Sequence, residues 1–291
     1  MGIDIGRALR EGASRTAAKN GLVLAAVFAG IALLTTVLFQ SLLVAAVESA
    51  LEVFQNASPE ELGIPEAEYE DALAEFETAL EEVRAAAPLA LGVSAGIAAG
   101  GLLVTVILSE AASIVAVRVF ATDETETVPG ELVTDNILLA TLNGFVGAIV
   151  VWGLILVGSL FLLLPGLVLA VLFFFLRQEI AINGKNFVQA MADSWRITKG
   201  HRIEVFLVGA VLVIVSRLEE ATSTVVGLFS TPVGTVAAAL VGGLLAAFGA
   251  AVATRAYVQI NEESGDAPEP EPDEEPEDPY DAALGPDDLS R

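Results

Sequence analysis

Six apolar stretches, near positions 21–47, 89–117, 137–163, 167–183, 203–217 and 233–256, alternate with polar connections along the 291-residue chain. A helix needs about 20 apolar residues to cross a ~30 Å hydrocarbon core, so each stretch predicts a membrane span, the fourth and fifth being short. Leu164-Pro165-Gly166 is a turn signal that predicts a hairpin of the third and fourth spans. In the connection 48–88, Ser58-Pro59-Glu60-Glu61 has the form of a capping box with proline at the first helical position. Beyond Pro65, the residues Tyr69, Leu73, Phe76, Leu80 and Val83 recur at helical spacing and predict an amphipathic helix with one apolar seam. That seam suits packing on the membrane domain and a short coiled-coil contact equally. A further short helix is predicted over 185–200, ended by Gly200, with Phe187, Ala190, Met191, Ser194, Trp195 and Thr198 on one face. The expected fold is all-α: a polytopic membrane protein with six transmembrane helices, an outer amphipathic helix and a cytoplasmic interfacial helix.

Charge orients this pattern. Arg7, Arg10, Arg15 and Lys19 precede the first span, and Arg177, Lys185, Arg196, Lys199 and Arg202 cluster between the fourth and fifth. Arg118 and Arg255 fall on the same side, whereas Arg84 and Arg217 fall opposite. Basic residues stay on the cytoplasmic side, so a multi-pass protein of the cell membrane with both termini cytoplasmic is expected. Three segments follow: a basic amphipathic segment 1–20, a membrane domain 21–258 and an acidic tail 259–291. Six of the twelve prolines lie in that tail among Glu and Asp, a composition that predicts disorder. The first apolar run is longer than a signal-peptide core and lacks a clear cleavage site, so it reads as a retained helix.

Mean hydropathy is +0.68, yet the formal net charge is −24. The two properties are segregated, with carboxylates crowded into connections and tail. Only three lysines stand against thirty-eight acids, which suits a surface adapted to concentrated salt and predicts a halophilic, archaeal source. The acidic balance argues against nucleic acid as a partner. No cysteine is present, which removes disulfides and thiolate chemistry, and the sole histidine, His201, has no companion at metal-ligand spacing. Asn56-Ala57-Ser58 forms a glycosylation sequon on the expected outer face.

Within the spans, Glu110 is the candidate functional carboxylate, with Asn143 its expected partner and Arg118 the alternative counter-charge. Small-residue ridges at Gly92, Gly96 and Gly100, and at Gly242, Ala246 and Ala250, predict close helix contacts within one subunit or in a homo-oligomer. Trp195, Arg196, Lys199 and Arg202 form a candidate lipid-interface group on the helix over 185–200 and its exit. Arg15 to Gly21 and Ser194 to Gly200 are similar basic segments before outward-going spans, as an internal repeat or common positive flanks would produce.

The Pro-Gly turn followed by Ala190, Ser194, Trp195, Arg196, Lys199 and Gly200 resembles the membrane domain attached to some glycerophosphoryl diester phosphodiesterases. It is similar also to YciC-like bacterial inner-membrane proteins and to haloarchaeal six-helix membrane proteins. The likeness covers residues 137–258 best. Relatives often carry an acid where this chain has Asn183 before Gly184, and nothing here resembles the soluble phosphodiesterase domain. The expectation is therefore a protein with no catalytic activity and no cofactor, organising membrane lipids or a membrane or cytoplasmic protein partner. The alternative is a small-solute transporter or exporter with a polar site around Glu110 and Asn143.

Overall fold

The computed structural model describes residues 2–161, 163–227 and 231–265; the predicted disordered tail, from residue 266 onward, lies outside them. All regular structure among the described residues is helical: α1 (Ile5–Ala17), α2 (Lys19–Asn56), α3 (Pro59–Leu62), α4 (Glu66–Ala86), α5 (Ala95–Ala121) and α6 (Gly130–Thr134) come first. They are followed by α7 (Ile137–Phe161), α8 (Leu163–Leu172), α9 (Leu176–Asn183), α10 (Phe187–Thr198), α11 (Arg202–Gly227) and α12 (Thr231–Gly265). Five segments among the described residues are long and apolar enough to cross a membrane: Lys19–Asn56, Ala95–Ala121, Ile137–Leu160, Leu163–Asn183 and Pro232–Glu262. The predicted stretch 203–217 lies in α11, which is not among the five. Helical structure continues past 259, where the acidic tail was expected to begin, to Gly265.

At the centre α2 packs against α5 and α12. A Cβ on Gly243 would lie 2.5 Å from the Ala25 carbonyl and the Ala29 nitrogen, so α12 meets the α2 backbone directly there. Ala247 and Ala251 continue that contact and are fully buried. The line of closest contact on α12 is thus Gly243, Ala247 and Ala251; of the expected Gly242, Ala246 and Ala250, Gly242 is also buried and Ala250 packs against the same cluster, while Ala246 is exposed. On α5 the correction is similar. A Cβ on Gly96 or Gly100, or on Gly92 before the helix, would touch nothing, whereas one on Gly101 would meet the Leu38 side chain at 2.9 Å. Ala98, Gly101 and Thr105 form the packed face. Where small residues run consecutively, composition does not reveal which of them faces the neighbour.

The α7–α8 hairpin closes through glycine as well. Gly158 lies 3.0 Å, measured from its ideal Cβ, from the Gly166 nitrogen, and a Cβ on Gly166 would collide with Ser159. Leu164-Pro165-Gly166 is not the turn itself but the first turn of α8. Proline suits that place because its missing N–H needs no partner there. The fourth span is then interrupted at Phe173–Phe175 and resumes as α9.

α10 seals this interruption. The Ser194 hydroxyl donates to the Leu172 carbonyl at 2.9 Å and accepts from the Phe175 N–H at 3.2 Å. Ala190, Ser194 and Thr198 are fully buried. The apolar face predicted to lie in the headgroup plane is therefore packed on α8 and α9 in large part, with Trp195 beside Phe173 at its rim. Asn186 caps the helix by a reciprocal bond with Gln189.

α1 lies across the end of α12. Gly12 sits against Val252, the Asp4 N–H donates to Gln259, and Arg255 donates to Glu11 at 2.6 Å. The N-terminal helix and the described end of α12 therefore share one end of the bundle. The α5–α6 connection joins them there through Arg15–Asp123 and through Asn20, which donates to the Glu124 carbonyl at 2.7 Å. At the opposite end the predicted capping box of α3 is formed, and α4 packs on α2. Tyr69 and Phe76 stack on Phe54, and Arg84 pairs with Glu48. The seam of α4 thus faces α2 of its own chain, with Leu80 buried and Tyr69, Leu73, Phe76 and Val83 partly buried.

Candidate functional site

Glu110 projects from α5 and is buried, with 8% of its surface exposed. Its partner is Arg177 of α9, whose Nε and Nη2 donate to the two carboxylate oxygens at 3.0 and 2.9 Å. A two-pronged arrangement of this kind is the strong form of a carboxylate–guanidinium contact. Neither expected partner is used. Arg118 donates instead to the carbonyls of Ala181, Leu132 and Asp135, tying α5 to the ends of α9 and α6. Asn143 accepts from the Phe187 N–H at 3.1 Å and so anchors the first turn of α10. Its neighbour Gly144 is what meets Glu110: a Cβ there would collide with the carboxylate. One dipeptide therefore serves two different contacts.

The pair forms part of the wall of two clefts. One, of about 520 Å³, lies between α2, α5 and α12 and has Thr35, Thr105, Ser109 and Ser113 on its polar side. The other, of about 120 Å³, lies toward α7, with Gly144, Trp152 and Phe173 in its lining. Arg177 counts among the basic residues after the fourth stretch, yet it falls inside the apolar run 167–183. A guanidinium within a predicted span requires an acid within reach, and that was the available signal.

A second polar cluster is not legible as a unit in the sequence, and of its members only Arg196 stands among the candidates. Glu179, fully buried on α9, accepts from Tyr257 at 2.9 Å, from Asn183 at 2.9 Å and from Lys185 at 2.6 Å. Lys185 also pairs with Asp193 at 2.5 Å, and Asp193 with Arg196. These bonds join α9, α10 and α12. Asn183 acts as a donor to Glu179 and to Tyr257. A cleft of about 340 Å³ opens beside the cluster, lined by Lys185, Arg196, Lys199 and His201 among others.

The proposed lipid-interface residues lie on the outer edge of this region. Trp195 is 46% exposed, the Arg196 side chain is 74% exposed, and Lys199 and Arg202 are exposed. Lys199 closes α10 and Arg202 opens α11, so Gly200, at φ +102°, brings the two cations to one corner. That backbone angle lies in the region open to glycine. Among the described residues, no group of three or more His, Cys, Asp and Glu side chains is arranged to hold a metal ion.

Outside the spans, burial pushes the Glu11 carboxyl up, but hydrogen bonds and charge from Arg7 and Arg255 together hold it below the usual carboxylate range. Backbone N–H groups of Glu126 and Thr127 lower Glu124 in the α5–α6 connection.

One protein family, described as a domain of unknown function (DUF7847), matches the chain over residues 3–260. No curated protein and no solved structure matches it.

Proposed function

The chain belongs to the DUF7847 family, and from that premise we propose a non-catalytic integral membrane protein that organises anionic lipids at its basic end. The observation that carries this reading is the exposed group Trp195 and Arg196 on α10, Lys199 at its end and Arg202 at the start of α11, with the other face of α10 locked by Ser194 into the break of the fourth span. An indole and several cations held at one level suit the headgroup region. In this reading α11 is a sixth crossing. Docking of α1 on the end of α12 supports an even number of crossings, because it brings both ends of the described chain to one side. The excess of Lys and Arg at that end supports a cytoplasmic location for it, in the cell membrane. The likeness to phosphodiesterase-linked and YciC-like membrane domains fits a membrane-organising role as an analogy of architecture.

The test is retention of lipid by the purified protein. Native mass spectra of protein released from nanodiscs of phosphatidylglycerol and phosphatidylcholine should show several anionic lipids bound. Arg196→Glu with Lys199→Glu should lower that number severalfold without changing retention of phosphatidylcholine. Equal retention of both lipids by the unmodified protein would overturn the proposal.

A further inference from the structure

We propose that the cleft between α2, α5 and α12 binds a small zwitterion, with an ammonium or quaternary ammonium group and a carboxylate or phosphate in one molecule, by opening the Glu110–Arg177 pair. This goes beyond the lipid reading of α10 and does not depend on it. The charge of the cleft lining leads to the ligand class. It holds one carboxylate and one guanidinium, and the rest of the lining is hydroxyl and hydrocarbon. A ligand of single charge would leave Glu110 or Arg177 uncompensated in surroundings of low dielectric. A ligand carrying both signs exchanges one ion pair for two and leaves the total charge unchanged.

The two ends of the pair differ in mobility. Glu110 is seated against Gly144 and buried, so its carboxylate is fixed. The Arg177 side chain is 43% exposed, and only its Nε and Nη2 are committed to Glu110. The cation of the ligand would take the place of the guanidinium on Glu110, while the anion follows Arg177 as it swings away. Hydroxyls complete the polar lining. Thr105, Ser109 and Ser113 stand four residues apart along one line of α5, and Thr35 faces them from α2. Thr35 and Thr105 each donate to a carbonyl of their own helix at 2.8 Å, leaving the hydroxyl oxygens to accept from an ammonium. The Ser109 and Ser113 hydroxyls make no hydrogen bond among the described residues, which leaves both as donors and acceptors. The volume of about 520 Å³ lies within the ~300–1,000 Å³ usual for small-molecule sites.

The shared chemistry could be supplied by a free solute or by a zwitterionic lipid headgroup, and the experiment separates them. Equilibrium dialysis in detergent would use glycine betaine and L-alanine as free zwitterions, with choline and acetate as single-charge controls. Native mass spectra from phosphatidylethanolamine nanodiscs would supply the headgroup arm. In at least one arm saturable binding is expected, with choline and acetate weaker by about tenfold or more. Glu110→Gln and Arg177→Gln should each weaken binding to a similar degree. Ala246→Trp, which fills the cleft from α12 and leaves both charged residues in the chain, should abolish binding and decides the matter where the charge variants fail to fold. Binding in the headgroup arm alone assigns the site to lipid, and binding in dialysis assigns it to a solute. Absence of binding in both arms overturns the proposal, as does choline or acetate binding equally well, or binding that survives in a folded Ala246→Trp protein.

Discussion

Glu179 illustrates how a carboxylate can be kept in a helical bundle. Its two oxygens receive three donors from three directions, and one of them, Lys185, also carries the charge that neutralises it. Removing a single donor from such a group costs more than an ordinary hydrogen bond, because the acceptor is ionised and cannot reach water. Tyr257→Phe removes only the hydroxyl, which donates to Glu179 and accepts from Asn183, so a loss of about 1.5–3 kcal/mol is expected, read as a lowered unfolding midpoint in detergent. A midpoint unchanged by the substitution would mean that the Tyr257 hydroxyl contributes nothing net. The individual residues of this cluster are visible in the chain, but their association is not. Tyr257 lies 78 positions from Glu179, and no local pattern announces the pairing. Glu110 is a parallel case. Its position within an apolar stretch marked it as unusual, whereas its true partner was assigned by its place in the sequence to the membrane surface.

At the level of elements, local rules proved legible where the interactions are local. The capping box of α3 and the apolar seam of α4 depend on residues within one or two turns, and both are present in the structure. The break between α8 and α9 depends on a serine about twenty positions further on, so the apolar stretch there reads as one uninterrupted span. Interrupted helices need a partner for the freed backbone groups, and inside a membrane no water supplies it. Ser194→Ala removes that partner from the Leu172 carbonyl and the Phe175 N–H at once. A destabilisation of about 1–3 kcal/mol is expected, with faster hydrogen exchange at Phe175 as its local signature. Ser194→Thr keeps the hydroxyl and should retain slow exchange at Phe175 where the added methyl is accommodated. Uniform acceleration across the protein, with no preference for this segment, would point to general loosening instead.

For the molecule as a whole, the contacts at the α1–α12 end couple its architecture to pH. Glu11 is held ionised by Arg7 and Arg255, so its folded-state pKa lies below that of the unfolded chain. The stabilisation is complete at neutral pH, begins to fade near the unfolded carboxylate value of about 4.3, and is lost as pH falls through the lower folded value. Amides of α1, corrected for intrinsic rates, should therefore lose protection in acid before those of α5. Glu11→Gln should show weakened α1 protection already at neutral pH and little further dependence on acid.

The same contacts have a consequence for synthesis. α1 precedes α12 in the chain by more than two hundred residues, yet much of its seat is built from Val252, Arg255 and Gln259 of α12. Throughout translation of the intervening residues, the amphipathic α1 lacks the α12 part of its seat and has only its contacts with α2, α11 and the α5–α6 connection. Until α12 has been made, α1 should thus stay open to chaperones and proteases, and arrival of α12 should be what closes this end of the bundle. The accessibility of α1 would then report whether α12 is in place.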